Sequence, residues 1–73
     1  MADKYLAIIE QATDGSYSGY FPDVPGCVSC GDSVEELEAN LQEALDFHFE
    51  GIGRAGLPIP APASKVEFIC AMG

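Results

Sequence analysis

The chain has 73 residues, 48% of them hydrophobic, and sets twelve Asp and Glu against three Lys and Arg for a formal net charge of −9. That length allows one small domain, residues 1–73, which buries only ~60% of the surface its unfolded chain exposes. The acidic balance excludes the clustered cations that hold nucleic-acid phosphates, and no apolar run approaches the ~18 residues that span a bilayer.

The opening MADKYLAIIE lacks a signal-peptide layout, so the expected compartment is the cytoplasm, where thiols stay reduced. Lys4–Gln11 is apolar and rich in β-formers and predicts a strand in the middle of a sheet. Asp14-Gly15 predicts a type I′ hairpin, and Tyr17–Phe21 reads as the returning strand. Pro22, Asp23, Pro25 and Gly26 then force a turn before a third short strand over Cys27–Gly31. Ser33 and Glu36 form a capping box that starts a helix. Its apolar stripe is Val34, Leu37, Leu41, Ala44, Leu45, His48 and Ile52, and Gly56 is the expected αL cap. Glu35, Glu36, Glu43, Asp46 and Glu50 fall on the opposite face. Residues 57–64, LPIPAPAS, carry three prolines and predict an extended connection, after which Lys65–Cys70 alternates as a last strand. The order βββαβ predicts an α+β domain with an antiparallel sheet and one helix packed on it.

Little in this pattern points to catalysis. Gly51-Ile52-Gly53-Arg54-Ala55-Gly56 matches G-x-G-x-x-G, yet it lies where the helix ends and exposed carbonyls repel phosphate. His48, the single histidine, falls in the apolar stripe and is expected as a packed, hydrogen-bonded ring. Cys27 and Cys30 have C-x-x-C spacing, which admits a zinc half-site, a redox pair or a structural role. A strand there sends the two thiols to opposite faces, and the helix begins too late to activate either, which favours the structural role. The acids cluster on a helix face and in turns, as solvated surface does. No cofactor and no metal site is expected.

The stretch DGSYSGYFPDVPGCVSCGDSVEELEANLQEAL, followed by GLPIPAPAS, resembles the HicB antitoxin family. The family's signature loop is matched by Phe21, Pro22, Asp23, Val24, Pro25, Gly26 and Cys27, and its helix start by Gly31, Asp32 and Ser33. Cys30 is outside that pattern. The resemblance implies a partial RNase H-like βββαβ fold that assembles as dimers or larger species. It also implies neutralisation of a small basic, mRNA-cleaving HicA-like toxin by direct contact. Many members carry a C-terminal DNA-binding domain; this sequence runs to Gly73 directly after the last expected strand, so operator binding is not expected.

The expected function is an acidic, non-enzymatic binding module whose partner surface is Glu35, Glu43, Asp46, Glu50 and Asp23. Glu35, Glu43, Asp46 and Glu50 are expected to go uncompensated within the helix, which favours an external cation. The alternatives are a degenerate metal-dependent nuclease built on Glu10, Asp23 and Asp32, or a stand-alone module with no toxin. Neighbouring Phe68 and Ile69 point to opposite faces of the last strand, which predicts a homo-oligomer, dimer or tetramer, formed around it.

Overall fold

A computed structural model describes residues 3–72. Three strands, β1 (Ile8–Gln11), β2 (Tyr17–Tyr20) and β3 (Val28–Gly31), form an antiparallel sheet in the order β1-β2-β3, followed by helix α1 (Val34–Arg54). The α+β class and the single packed helix are as expected.

Two strand expectations need correction. β1 is an edge strand and starts at Ile8 rather than Lys4. Its apolar first half is extended chain in which Tyr5 and Ala7 pack on the core without a ladder partner. Lys65–Cys70 forms no strand in this sheet, although it is extended and fully exposed. Alternation in a sequence encodes strand conformation, but a strand also needs a neighbour, and this segment leaves the domain before meeting one.

The first hairpin also differs from expectation. Among the described residues none other than glycine has positive φ, so Asp14 cannot take part in a type I′ turn. Three residues, not two, separate the paired Ala12 and Ser16. The Gly15 N–H donates to Ala12 O at 3.0 Å, the Ala12 N–H donates to Ser16 O at 2.8 Å, and Gly15 takes φ +91°. That is a type I turn closed by a glycine bulge. The Asp14 carboxylate accepts from the Ser16 hydroxyl at 2.6 Å and the Ser16 N–H at 2.9 Å, and these bonds hold its pKa below the ordinary aspartate value.

Helix α1 has the expected bounds. The Ser33 hydroxyl accepts from the Glu36 N–H at 3.1 Å, whereas among the described residues the returning Glu36 bond of a full capping box is not formed. At the other end the Leu57 N–H donates to Ile52 O and the Gly56 N–H to Gly53 O, both at 3.1 Å, a Schellman closure with Gly56 at φ +72°. The G-x-G-x-x-G stretch is thus helix terminus.

The core is Phe21, Val24, Cys27, Leu37 and Leu41, flanked by Tyr5, Ala7, Tyr17, Ala44, Leu45 and Phe49. Three of its five buried members come from the proline-rich loop. That loop is folded on itself: the Phe21 N–H donates to Cys27 O, the Val24 N–H to Phe21 O and the Cys27 N–H to Val24 O, at 3.1–3.3 Å. Two glycines let the helix sit directly on the sheet. A Cβ at Gly19 would stand 2.9 Å from Leu41 Cδ1, and one at Gly31 would stand 2.8 Å from the Leu37 backbone nitrogen. Gly31 therefore belongs to the helix-start signature because the backbone of α1 occupies the space of its side chain.

Candidate functional site

The outward face of α1 carries the acids. Glu35, Glu43, Asp46 and Glu50 are all exposed, on a stretch that rises ~22 Å along the helix axis. Glu43, Asp46 and Glu50 surround Phe47, whose side chain is 76% exposed and follows Glu43 by one helical turn. The Phe47 ring stands in water with three carboxylates beside it.

The charge on that face is not wholly uncompensated, contrary to expectation. Arg54 donates to the Glu50 carboxylate one turn away, a solvent-exposed i,i+4 pair. Asp46 accepts from Gln42 Nε2 at 3.1 Å. Glu35 and Glu43 make no side-chain hydrogen bond or ion pair to the described residues, so on that face Glu35, Glu43 and Asp46, like Glu36, stand without a cation.

Asp23 is elsewhere and has a different task. Its Oδ2 accepts from the backbone N–H of Ala63 and of Ser64, each at 2.9 Å, and its Oδ1 accepts from the Ser64 hydroxyl at 2.8 Å. It clamps the proline-rich connection, with help from the Tyr5 hydroxyl, which donates to Pro60 O at 2.6 Å. Burial, and secondarily the charges of Asp3 and Asp23, raise the Tyr5 pKa. The hydrogen bonds from Ser64 and Ala63 hold the Asp23 carboxyl below the ordinary aspartate value. A lowered folded pKa makes the clamp fully present above the ordinary aspartate value and lost as pH falls through the lowered one. NMR should therefore show the Ala63 and Ser64 amides titrating together with a midpoint below that of a free aspartate. A midpoint at or above the free value would refute the clamp.

The remaining singled-out residues divide cleanly. Phe21 and Cys27 are core, while Pro22, Pro25 and Gly26 shape the turn, with Gly26 at φ +82°. Asp32 is exposed beside the Ser33 cap. Cys27 is buried, which raises its thiol pKa, and Cys30 is exposed on the other side of the sheet. All three cysteines are free. His48 is half-buried beside Val28, Phe47, Ile52 and Leu57, its ring 6.4 Å from that of Phe49. It makes no hydrogen bond to the described residues, where a bonded ring was expected. Among the described residues no three His, Cys, Asp or Glu side chains gather so as to hold a metal ion, so Glu10, Asp23 and Asp32 form no nuclease-like cluster. No described helix is long and apolar enough to cross a membrane.

Two residues were not read as packing residues from the sequence. Val24, 1% exposed, is the innermost residue of the loop, and its three-residue spacing from Phe21 and Cys27 was the available signal. Phe49 packs edge-on against Tyr5 with ring centroids 5.2 Å apart, although it lies outside the apolar stripe.

Fold and surface together define a small acidic α+β module with a carboxylate-lined helix on its outside. The family described as HicB_like antitoxin of bacterial toxin-antitoxin system matches residues 5–72. The chain belongs to that family. It is 33% identical to a chain of a solved HicA3 and HicB3 toxin-antitoxin complex, with a TM-score of 0.68 over 84% of this chain and 70% of that one. A UPF0150 protein of Synechocystis is 39% identical over 62 residues, which cover 80% of this chain and 85% of the relative. An uncharacterized 14.9 kDa protein from the rep-hol intergenic region of Haemophilus phage HP1 is 48% identical over 48 residues; there the match covers 66% of this chain but only 35% of the relative.

Proposed function

We propose that this chain is a non-enzymatic antitoxin that works in the cytoplasm by binding a small basic HicA-like RNase and blocking its access to mRNA. The observation that carries the reading is the exposed α1 face of a HicB-like protein, where Glu35, Glu43 and Asp46 stand without a cation and Phe47 stands in water among them. Like charges one helical turn apart, as Glu43 and Asp46 are, repel by a few tenths of a kcal/mol. A partner's Lys and Arg relieve that repulsion, and its apolar surface covers the ring. The solved neighbour is itself a toxin-antitoxin complex, which supports a protein partner for this chain.

The test is an RNA-cleavage assay with a purified HicA-like toxin. Titrating in the purified chain should abolish cleavage near stoichiometric equivalence, and the two proteins should co-elute without RNA. Cleavage that persists under excess chain overturns the reading. Cleavage of RNA by the chain alone, with Mg²⁺ or Mn²⁺, would replace it with the nuclease.

A further inference from the structure

Between the second half of α1 and the loop that leads into β3 lies a cleft of about 500 Å³. Ala44, Gly51 and Ala55 form its floor, since advancing 100° per residue stacks them along one line of the helix. Phe47 and Leu57 stand at its margins, 76% and 61% exposed. Of the side chains that line it, only that of His48 carries nitrogen or oxygen, and its ring makes no hydrogen bond to the described residues.

Gly51 keeps this cleft open. It lies inside α1, where glycine forfeits helix stability relative to alanine because it has more backbone freedom to lose. Gly19 and Gly31 are required by their contacts, and Gly15, Gly26 and Gly56 by positive φ. Gly51 has neither reason: its φ is not positive, and an added Cβ would meet nothing within 4 Å among the described residues. Its carbonyl accepts from the Ala55 N–H at 3.1 Å, so the helix continues regularly there. Packing within the domain does not call for glycine at this position, whereas an open cleft does, because any side chain would project into it. Gly53 is equally unconstrained, but it lies about 200° around the helix from Gly51, away from the cleft.

The cleft and the acids share Phe47. Glu43, Phe47 and Gly51 follow one another at four-residue steps, and the same ring borders the depression that holds Glu43, Asp46 and Glu50. Along the axis Gly51 is ~7.5 Å from Asp46 and ~12 Å from Glu43, so one short segment of a partner spans both features. Ser29 and Asn40 complete the border towards the sheet. There the Asn40 Nδ2 donates to the Cys30 carbonyl at 2.9 Å and ties α1 to the outer margin of β3. The surface is held in place before any partner arrives.

We infer, resting on the antitoxin reading above, that the cleft is the socket for one large apolar side chain of the basic partner, carried beside the Lys or Arg that meets Glu43 and Asp46. Charge selects this occupant. The border carries three carboxylates, and the one nearby guanidinium, that of Arg54, is engaged with Glu50. A second copy of a chain with net charge −9 is repelled from that border, and an uncharged ligand leaves its acids unmatched. A segment that is basic at one end and apolar at the other satisfies both. The cations steer the encounter, and an apolar anchor in a water-excluded socket slows departure. The His48 imidazole in the wall offers the entering chain one hydrogen bond.

The test fills the socket from its floor and measures binding of a purified HicA-like toxin to the full chain. Gly51→Leu should speed dissociation roughly tenfold or more, as loss of a buried interface anchor does. Its melting temperature should not fall, because the new side chain meets nothing in the domain and leucine favours a helix over glycine. Gly51→Ala gives the same gain in helix propensity with a methyl alone and should dissociate close to the wild-type rate, which separates filling from stiffening. Wild-type binding that Gly51→Leu leaves unchanged overturns the socket while the antitoxin reading stands. So do equal losses in the two variants, which trace the effect to the helix backbone, or a lowered melting temperature in Gly51→Leu, which shows the position to be packed. A wild-type chain that binds no toxin overturns both.

Discussion

Leu37→Ala is expected to destabilise the domain by about 3–5 kcal/mol, close to the whole stability of a chain this small. Leu37 is 0% exposed and lies where α1 meets both Gly19 and Gly31, so the sheet and the helix share its side chain. Removing the isobutyl group loses its transfer free energy and leaves a cavity. The walls cannot close that cavity, because the backbone of β3 is already in contact with the backbone of α1. Thermal unfolding should fall by roughly 12 °C or more. Phe47→Ala is the control: with its ring in water, its effect on stability should stay within about 0.5 kcal/mol. Equal losses at the two positions, or a loss below about 1 kcal/mol at Leu37, would show that the core has been misplaced.

If the proposed function holds, reversing Glu43 and Asp46 together to Lys should slow association with a basic HicA-like toxin roughly tenfold or more at low salt. These two are the informative pair, because Glu50 is already paired with Arg54 and Asp23 is turned to its own chain. The deficit should shrink as ionic strength rises and the screening length falls from ~10 Å at 0.1 M toward ~3 Å at 1 M. Asp3→Lys with Glu10→Lys makes the same change in net charge away from the helix face. If that control slows association equally, long-range charge alone is at work; if neither does, the toxin docks elsewhere. Phe47→Ala should act through the other constant and speed dissociation, as truncated interface aromatics do.

How far the sequence could be read depended on how local each signal was. The helix was legible end to end, because Ser33, the apolar spacing and Gly56 act within a few residues of themselves. So were the opposite faces of Cys27 and Cys30, which need only the two-residue period of a strand. Sheet order was not legible: the apolar run Lys4–Gln11 looks the same whether its flanks meet strands or a helix. The alternation of Lys65–Cys70 likewise says nothing about where a partner lies. The hairpin was misread by one residue, since Asp14-Gly15 serves a two-residue and a three-residue turn equally well. The Glu50–Arg54 pair was within reach, at the i,i+4 spacing that should have been checked before that face was taken as unpaired. The proline-rich loop could be recognised as a signature without revealing its physical purpose, because Phe21, Val24 and Cys27 reach the core through a loop that has no period.

Asn40 has a consequence for solution behaviour. A small sheet with two bare margins is a template that can extend from either side, and each added chain presents a fresh margin to the next. With the Asn40 amide seated on the Cys30 carbonyl, a strand arriving at β3 must first displace a side chain that the helix holds in place. Growth on that side is therefore penalised at Cys30. A protein with this much exposed apolar chain is in that way made a poorer template for an open-ended ribbon along β3.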